Sequence, residues 1–239
     1  MDNINQKALT QILSAVSPCN FDELAINLFR KFCIRKVQRD YTGTHVVYYR
    51  FKEIEYYFYN SDTNDCPTLN RDCLPGQWYI HRYGVDLTFG TKVALTDIKG
   101  KEYRELVEFG GILIRGLEKI TEAGTLIIGG PQRCLFELFN SATQFPEICS
   151  LCEIQGNSGS DFTTIFKGIR VLGNSTKDEE GRSLPYRYYV GDVNWLMERP
   201  QICEIQYQGK YHVVWKNSPY KYDDHPLDND LIVIENEDK

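Results

Sequence analysis

The chain has 239 residues, 42% of them hydrophobic and 25% charged, with a formal net charge of −6. This is the composition of an ordinary globular protein, with room for one large domain. No apolar run approaches the roughly 20 residues that span a bilayer. Polar Met1–Lys7 lacks the basic-then-apolar order of a secretory leader, so a soluble, cytoplasmic protein without a membrane partner is expected. The acidic surplus is local: Asp223–Lys239 holds seven acidic residues and one basic, leaving 26 of each sign in the body. Residues 1–222 are therefore read as a single α+β domain and 223–239 as an acidic tail, and so neutral a body pulls weakly on a distant phosphate backbone.

In chain order, Gln6–Val16 has apolar residues at helical spacing, ended by Ser17-Pro18. Asn20 is placed to cap a second helix with Phe21, Leu24, Leu28 and Phe32 on its inner stripe. Lys31–Gln38 reads as a strand, Tyr41-Thr42-Gly43 as a turn, and Thr44–Tyr59 as a long strand of period two. Asn60–Gly76 is a loop; Trp78–His81 and Val85–Phe89 form a hairpin with Arg82, Tyr83 and Gly84 at its turn. Gly110–Leu117 is a buried strand apart from Arg115, and Gly129-Gly130-Pro131 opens a helix running to about Asn140. Asn157–Asp161 is a loop; short strands follow near Ile169–Leu172, Tyr186–Val190, Cys203–Tyr207 and Tyr211–Trp215, the last two as a hairpin around Gly209.

Eight cysteines in an intracellular chain are expected to be reduced. Cys149 and Cys152 have C-x-x-C spacing in an apolar, helix-like context, while Cys66 and Cys73 bracket a loop. Scattered buried thiols are expected rather than a zinc site, with no metal and no cofactor.

The chemistry is concentrated in Glu53-Ile54-Glu55-Tyr56-Tyr57, where two carboxylates and a tyrosine share one strand face. That face is either solvated or lines a pocket. In a pocket, a carboxylate activates water beside a ring that stacks on a flat substrate, the tools needed to cleave an N-glycosidic bond through an oxocarbenium-like state.

This strand resembles the E-x-E-x-Y strand of the alkyladenine DNA glycosylase family. Downstream, Pro75-Gly76-Gln77-Trp78-Tyr79-Ile80-His81-Arg82-Tyr83-Gly84 resembles the family's P-G-x-x-Y-V-Y…Y-G hairpin. Ile112-Leu113-Ile114-Arg115-Gly116-Leu117-Glu118 is similar to its V-L-I-R-A-x-E strand, and Gly130-Pro131 to its G-P-x-x-L segment. Ile169-Arg170-Val171 and Pro185-Tyr186-Arg187-Tyr188-Tyr189-Val190 look like its closing R-V-G…P-x-R-F-Y-V run. The resemblance covers roughly residues 20–195 and implies a curved, mostly antiparallel sheet with a projecting hairpin, flanked by helices.

It also implies roles. Glu55 is the general base, with Glu53 the second choice, and Arg115 sits beside the water or the sugar-phosphate. Tyr57 stacks on a flipped base, as can His81 where the family has a second tyrosine; Asp86 is additional to the family pattern and, two residues past Gly84, is expected to face the pocket. Tyr83 is the wedge that enters the duplex. Gly130, Gln132 and Arg133 mark a helix start able to hold a phosphate. The implied activity is that of a monofunctional, metal-free DNA glycosylase of base excision repair, with DNA as partner; no compelling lysine nucleophile stands out. The departures fall where a base is recognised: Asn64, Asp65 and Cys66 replace a pocket histidine, the hairpin is one residue shorter, and Gly90 stands where the family has an asparagine. Two alternatives stay open: an N-glycosidase for a nucleoside, nucleotide or non-genomic modified base, and an inactive nucleic-acid or ligand-binding module of the same fold.

Overall fold

The computed structural model describes residues 11–14, 18–41, 43–60, 68–122, 124–139, 149–153, 165–168, 170, 186–190, 202–203, 205–207 and 211–214. Their elements, in chain order, are α1 (Phe21–Lys31), β1 (Phe32–Asp40), β2 (Gly43–Asn60), β3 (Trp78–His81), β4 (Gly84–Thr88), β5 (Lys92–Ile98), β6 (Lys101–Thr121) and β7 (Gly124–Gly129). There follow α2 (Pro131–Phe139), β8 (Cys149–Glu153), β9 (Ile165–Gly168), β10 (Arg187–Val190), β11 (Ile202–Cys203), β12 (Ile205–Tyr207) and β13 (Tyr211–Val214). The protein is α+β, with few helices and one open sheet whose main path runs β12-β13-β9-β10-β2-β6-β4-β3. Among the described pairings only β9 with β13 is parallel. No described helix is long and apolar enough to cross a membrane.

The sheet is built on β2 and β6, of 18 and 21 residues, which pair from Tyr48–Ile120 to Asn60–Glu108. Tyr49 to Phe51 and Glu53 to Phe58 include residues buried on both faces, which explains why the period-two pattern of this strand is aromatic on each side. On one face Phe21 of α1 stacks on Tyr56 with ring centroids 4.3 Å apart and meets Phe58 edge-on at 6.3 Å. On the other face lies α2, where Tyr49 Oη donates to Glu137 Oε1 at 2.8 Å. The buried Lys36 Nζ donates to the Glu137 carbonyl at 2.5 Å, satisfying an acceptor in the last turn of α2, where a cation complements the helix dipole.

Several expectations need correction. Asn20 stands at the N-cap of α1, but its side chain makes no capping hydrogen bond; the acidic Asp22 and Glu23 supply the first-turn complement. Cys149 and Cys152 lie on a strand, β8, rather than a helix, because the segment pairs antiparallel with β1. A strand, β9, is found at Ile165–Gly168; of the strand expected near Ile169–Leu172 all but Arg170 lies outside the described residues. The first helix is seen at 11–14; the rest of Gln6–Val16, the loop Asn157–Asp161, and the tail 223–239 lie outside the described residues. The hairpin at 78–88 forms as expected, but β4 is buried along its whole length. The ribbon that runs beyond the sheet is instead β5 with the first part of β6, where Lys101–Val107 pairs only with β5 among the described strands.

Candidate active site

Two irregularities in the β2–β6 ladder shape the site. Phe51 pairs with Leu117, Glu53 with Gly116, and Ile54 with Ile114, so Lys52 is an extra residue on β2 and Arg115 an extra residue on β6. A bulged residue is released from the ladder and its side chain is re-aimed. Arg115 uses that freedom to reach both carboxylates of β2: Nε donates to Glu53 Oε1 at 3.0 Å and Nη1 to Glu55 Oε2 at 2.8 Å. Gly116, opposite Glu53, adds no side chain to the crowded spot. From the other side Arg187, on β10 opposite Glu55, donates through Nε to Glu53 Oε1 at 2.5 Å. Glu55 is 0% exposed, Arg115 at 13% is the most open of this group, and Glu55 Oε1 is buried with no hydrogen-bond partner among the described residues.

Tyr57 is two residues along on the same face and almost buried. The guanidinium of Arg170 lies 4.8 Å from its ring centroid, and the same group donates to the Tyr56 carbonyl at 3.0 Å. Burial and the Glu55 charge push the Tyr57 phenol well up, more than Arg170 and Arg115 pull it down. It therefore stays protonated through the working pH range and can act as a plate or a donor, not as a base.

A second carboxylate group adjoins the first across β6. Asp86 and Glu55 both pair with Leu113, which puts the three side chains on one face. Asp86 holds an ion pair with Arg71 and accepts from His81 Nε2 at 3.0 Å. The Tyr83 amide donates to His81 Nδ1 at 3.2 Å, so Nδ1 is the acceptor and Nε2 carries the proton. Arg71 also lies 4.5 Å over the Tyr79 ring, and Tyr79 stacks on His81 at 5.7 Å. A Cβ at Gly111 would come within 2.7 Å of Arg71 Nη1 and 3.1 Å of the Asp86 Cβ, so glycine there makes room for the pair.

The expected residues thus divide. Glu53, Glu55, Tyr57, Arg115, Asp86 and His81 converge on one face of the sheet. Tyr83 is half-exposed at the β3–β4 turn, with Arg82 stacked 4.5 Å over its ring. That turn rests on the start of α2: Gln132 Nε2 donates to the Arg82 carbonyl at 3.0 Å. The Gly130 amide donates to the Arg115 carbonyl at 2.7 Å, so it is committed to the fold and is not open to a phosphate. Gln132 and Arg133 are exposed. Asn64, Asp65 and Cys66 lie outside the described residues.

Reading the sequence missed Arg71, Arg170 and Arg187 as members of the cluster. Arg170 and Arg187 left a signal as the two arginines of the closing run, and Arg187 also as the one charge in the apolar-aromatic stretch Tyr186–Val190. With Arg115, Arg71, Arg170 and Arg187 set four guanidinium groups around the three carboxylates Glu53, Glu55 and Asp86. No group of three or more metal-ligating side chains occurs among the described residues. A cavity of about 210 Å³ lies elsewhere, lined by Leu13, Phe58, Cys73, Pro75, Phe89 and Glu108 among others, and none of the residues expected to act reaches it. No protein-family model matches the chain, and no curated protein is significantly similar to it.

Proposed function

We propose that the cluster hydrolyses an N-glycosidic bond, with a base in DNA as substrate, in the manner of the alkyladenine-type DNA glycosylases and within a fold of that type. The observation that carries this reading is the free oxygen of Glu55. Its other oxygen is locked by Arg115 at 2.8 Å, while Oε1 is buried without a partner among the described residues. A carboxylate fixed through one oxygen keeps the other to accept a proton from water. In the step, the water oxygen bonds to the sugar C1′ and the water proton passes to Glu55. The C1′–N bond breaks with its electron pair going to the base, which solvent protonates. Tyr57 supplies a flat surface for the base.

The test is base release from duplex oligonucleotides bearing a panel of modified bases, read as abasic-site cleavage by alkali. The native chain should release one or more of them, and Glu55→Gln should lower that rate by about 10²–10⁴-fold. Full turnover in Glu55→Gln overturns the assignment. A second reading is favoured by the closed ion pairs: Glu53, Glu55 and Asp86 are all buried and each meets an arginine. There the cluster is the polar centre of a module that binds nucleic acid or a ligand without cleaving it. Salt-sensitive DNA binding with no release across the panel supports that reading; release from free nucleosides without duplex binding moves the substrate away from DNA.

A further inference from the structure

We infer that two copies of the chain associate through the open edge of β6, as an antiparallel pair of ribbons related by a two-fold axis at Tyr103. The ribbon of β5 and the start of β6 needs a partner on physical grounds. A two-stranded hairpin standing alone is marginal in water, yet this one keeps its pairing from Val93–Leu106 to Ile98–Lys101 with Leu95, Ile98, Tyr103 and Val107 exposed. Its far edge, Lys101–Val107, meets no other strand among the described residues, and such an edge is a template for another strand.

The turn fixes what that edge presents. Lys99 and Gly100 have φ of 56° and 77°, the pattern of a two-residue type I′ turn, so Ile98 and Lys101 form its closing hydrogen-bonded pair. Lys101, Tyr103 and Glu105 then direct their backbone groups toward β5, while Glu102, Arg104 and Leu106 direct theirs to the open edge. In a pairing of two such edges, outward residues must face outward residues. Centring it on Tyr103 sets Glu102 against Arg104 of the second copy on one face, and Lys101 against Glu105 on the other, each twice by symmetry. Centring it on Lys101, Glu102, Arg104 or Glu105 brings that charge against its own copy, which is destabilising. Centring it on Leu106 drives the partner into Glu108, already paired with Asn60 of β2. One register survives, and in it Lys101 meets Glu105 and Glu102 meets Arg104, whose guanidinium also reaches Asp72 of its own chain at 2.8 Å. The partner that fits this edge is therefore another copy of the same strand.

Sedimentation velocity of the full chain over about 5–500 µM, the range for a small interface, should show a concentration-dependent dimer. Lys101→Glu and Glu105→Lys lie on the exposed ribbon, outside the candidate active site. Each should weaken the dimer about tenfold, by turning two attractive pairs into two repulsive ones, and the double variant K101E/E105K should restore it. Under mild oxidation Tyr103→Cys should form a disulfide-linked dimer beyond the level of the parent chain, whereas Glu105→Cys should not, since it faces residue 101 rather than itself. A chain that stays monomeric throughout, or a dimer indifferent to both single reversals, overturns the inference.

Discussion

At the scale of single residues, the site is a set of buried charges whose stability rests on mutual pairing. Arg187→Met leaves Glu53 with Arg115 alone and should cost about 3 kcal/mol, the low end for breaking a buried pair, measured by urea denaturation. The double variant Glu53→Gln/Arg187→Met should recover part of that loss, because no unpaired charge is then left inside. Glu137 gives a pH dependence of known sign. Burial alone would raise its carboxyl above the ordinary 4.5, but hydrogen bonds from Lys119 and Tyr49, with the Lys119 and Lys36 charges, bring it below. A folded-state pKa lower than the unfolded one contributes stability that is complete above about pH 4.5 and is lost as pH falls through the folded value. Glu137→Gln should therefore flatten the acid limb of a stability curve and leave the neutral region with a constant offset. Residue types were legible beforehand where the face of one strand was enough, as for Glu53, Glu55 and Tyr57. Arg71, Arg170 and Arg187 escaped because they arrive from a loop, a strand end and a distant strand, and sequence spacing carries no information on such convergence.

At the scale of elements, the site depends on close backbone approach as much as on side chains. Gly111→Ala places a methyl group within 2.7 Å of Arg71 and 3.1 Å of the Leu87 carbonyl, which backbone pairing holds in place. The Arg71–Asp86 pair should be displaced and the protein destabilised by about 1–3 kcal/mol, as for overpacked interiors, seen as a lower denaturation midpoint. Strands β1, β2, β3 and β4 and helix α2 were readable because alternation, turn residues and Pro131 agree with the final fold. The ribbon of β5 and early β6 was not, since both its faces are wet and its charges alternate without an apolar side. Cys149–Glu153 was misjudged for the opposite reason: a short apolar run fits a buried helix or a strand equally well, and only pairing with β1 decides.

At the scale of the whole molecule, the net charge of −6 works against association with a polyanion. A chain of this charge that binds DNA through few phosphate contacts should show a shallower salt dependence than a uniformly basic protein, with a slope set by the phosphates it neutralises. Removing residues 223–239 should raise affinity for duplex DNA most at low salt and so steepen the salt dependence, measured by fluorescence anisotropy; an affinity unchanged at every salt concentration would mean that the tail exerts no force on the DNA. The ladder of β2 and β6 reaches further still. Because Lys52 and Arg115 are each supernumerary, their offsets cancel, and the two halves of the long strands keep a common phase. Deleting Lys52 alone would turn everything before it inside out relative to the sheet, sending Tyr49 and Phe51 to the opposite side from Glu55; deleting Arg115 as well would restore the phase while removing the guanidinium. The geometry of the charged cluster is thus tied to the continuity of the longest strands, so that neither can shift without the other.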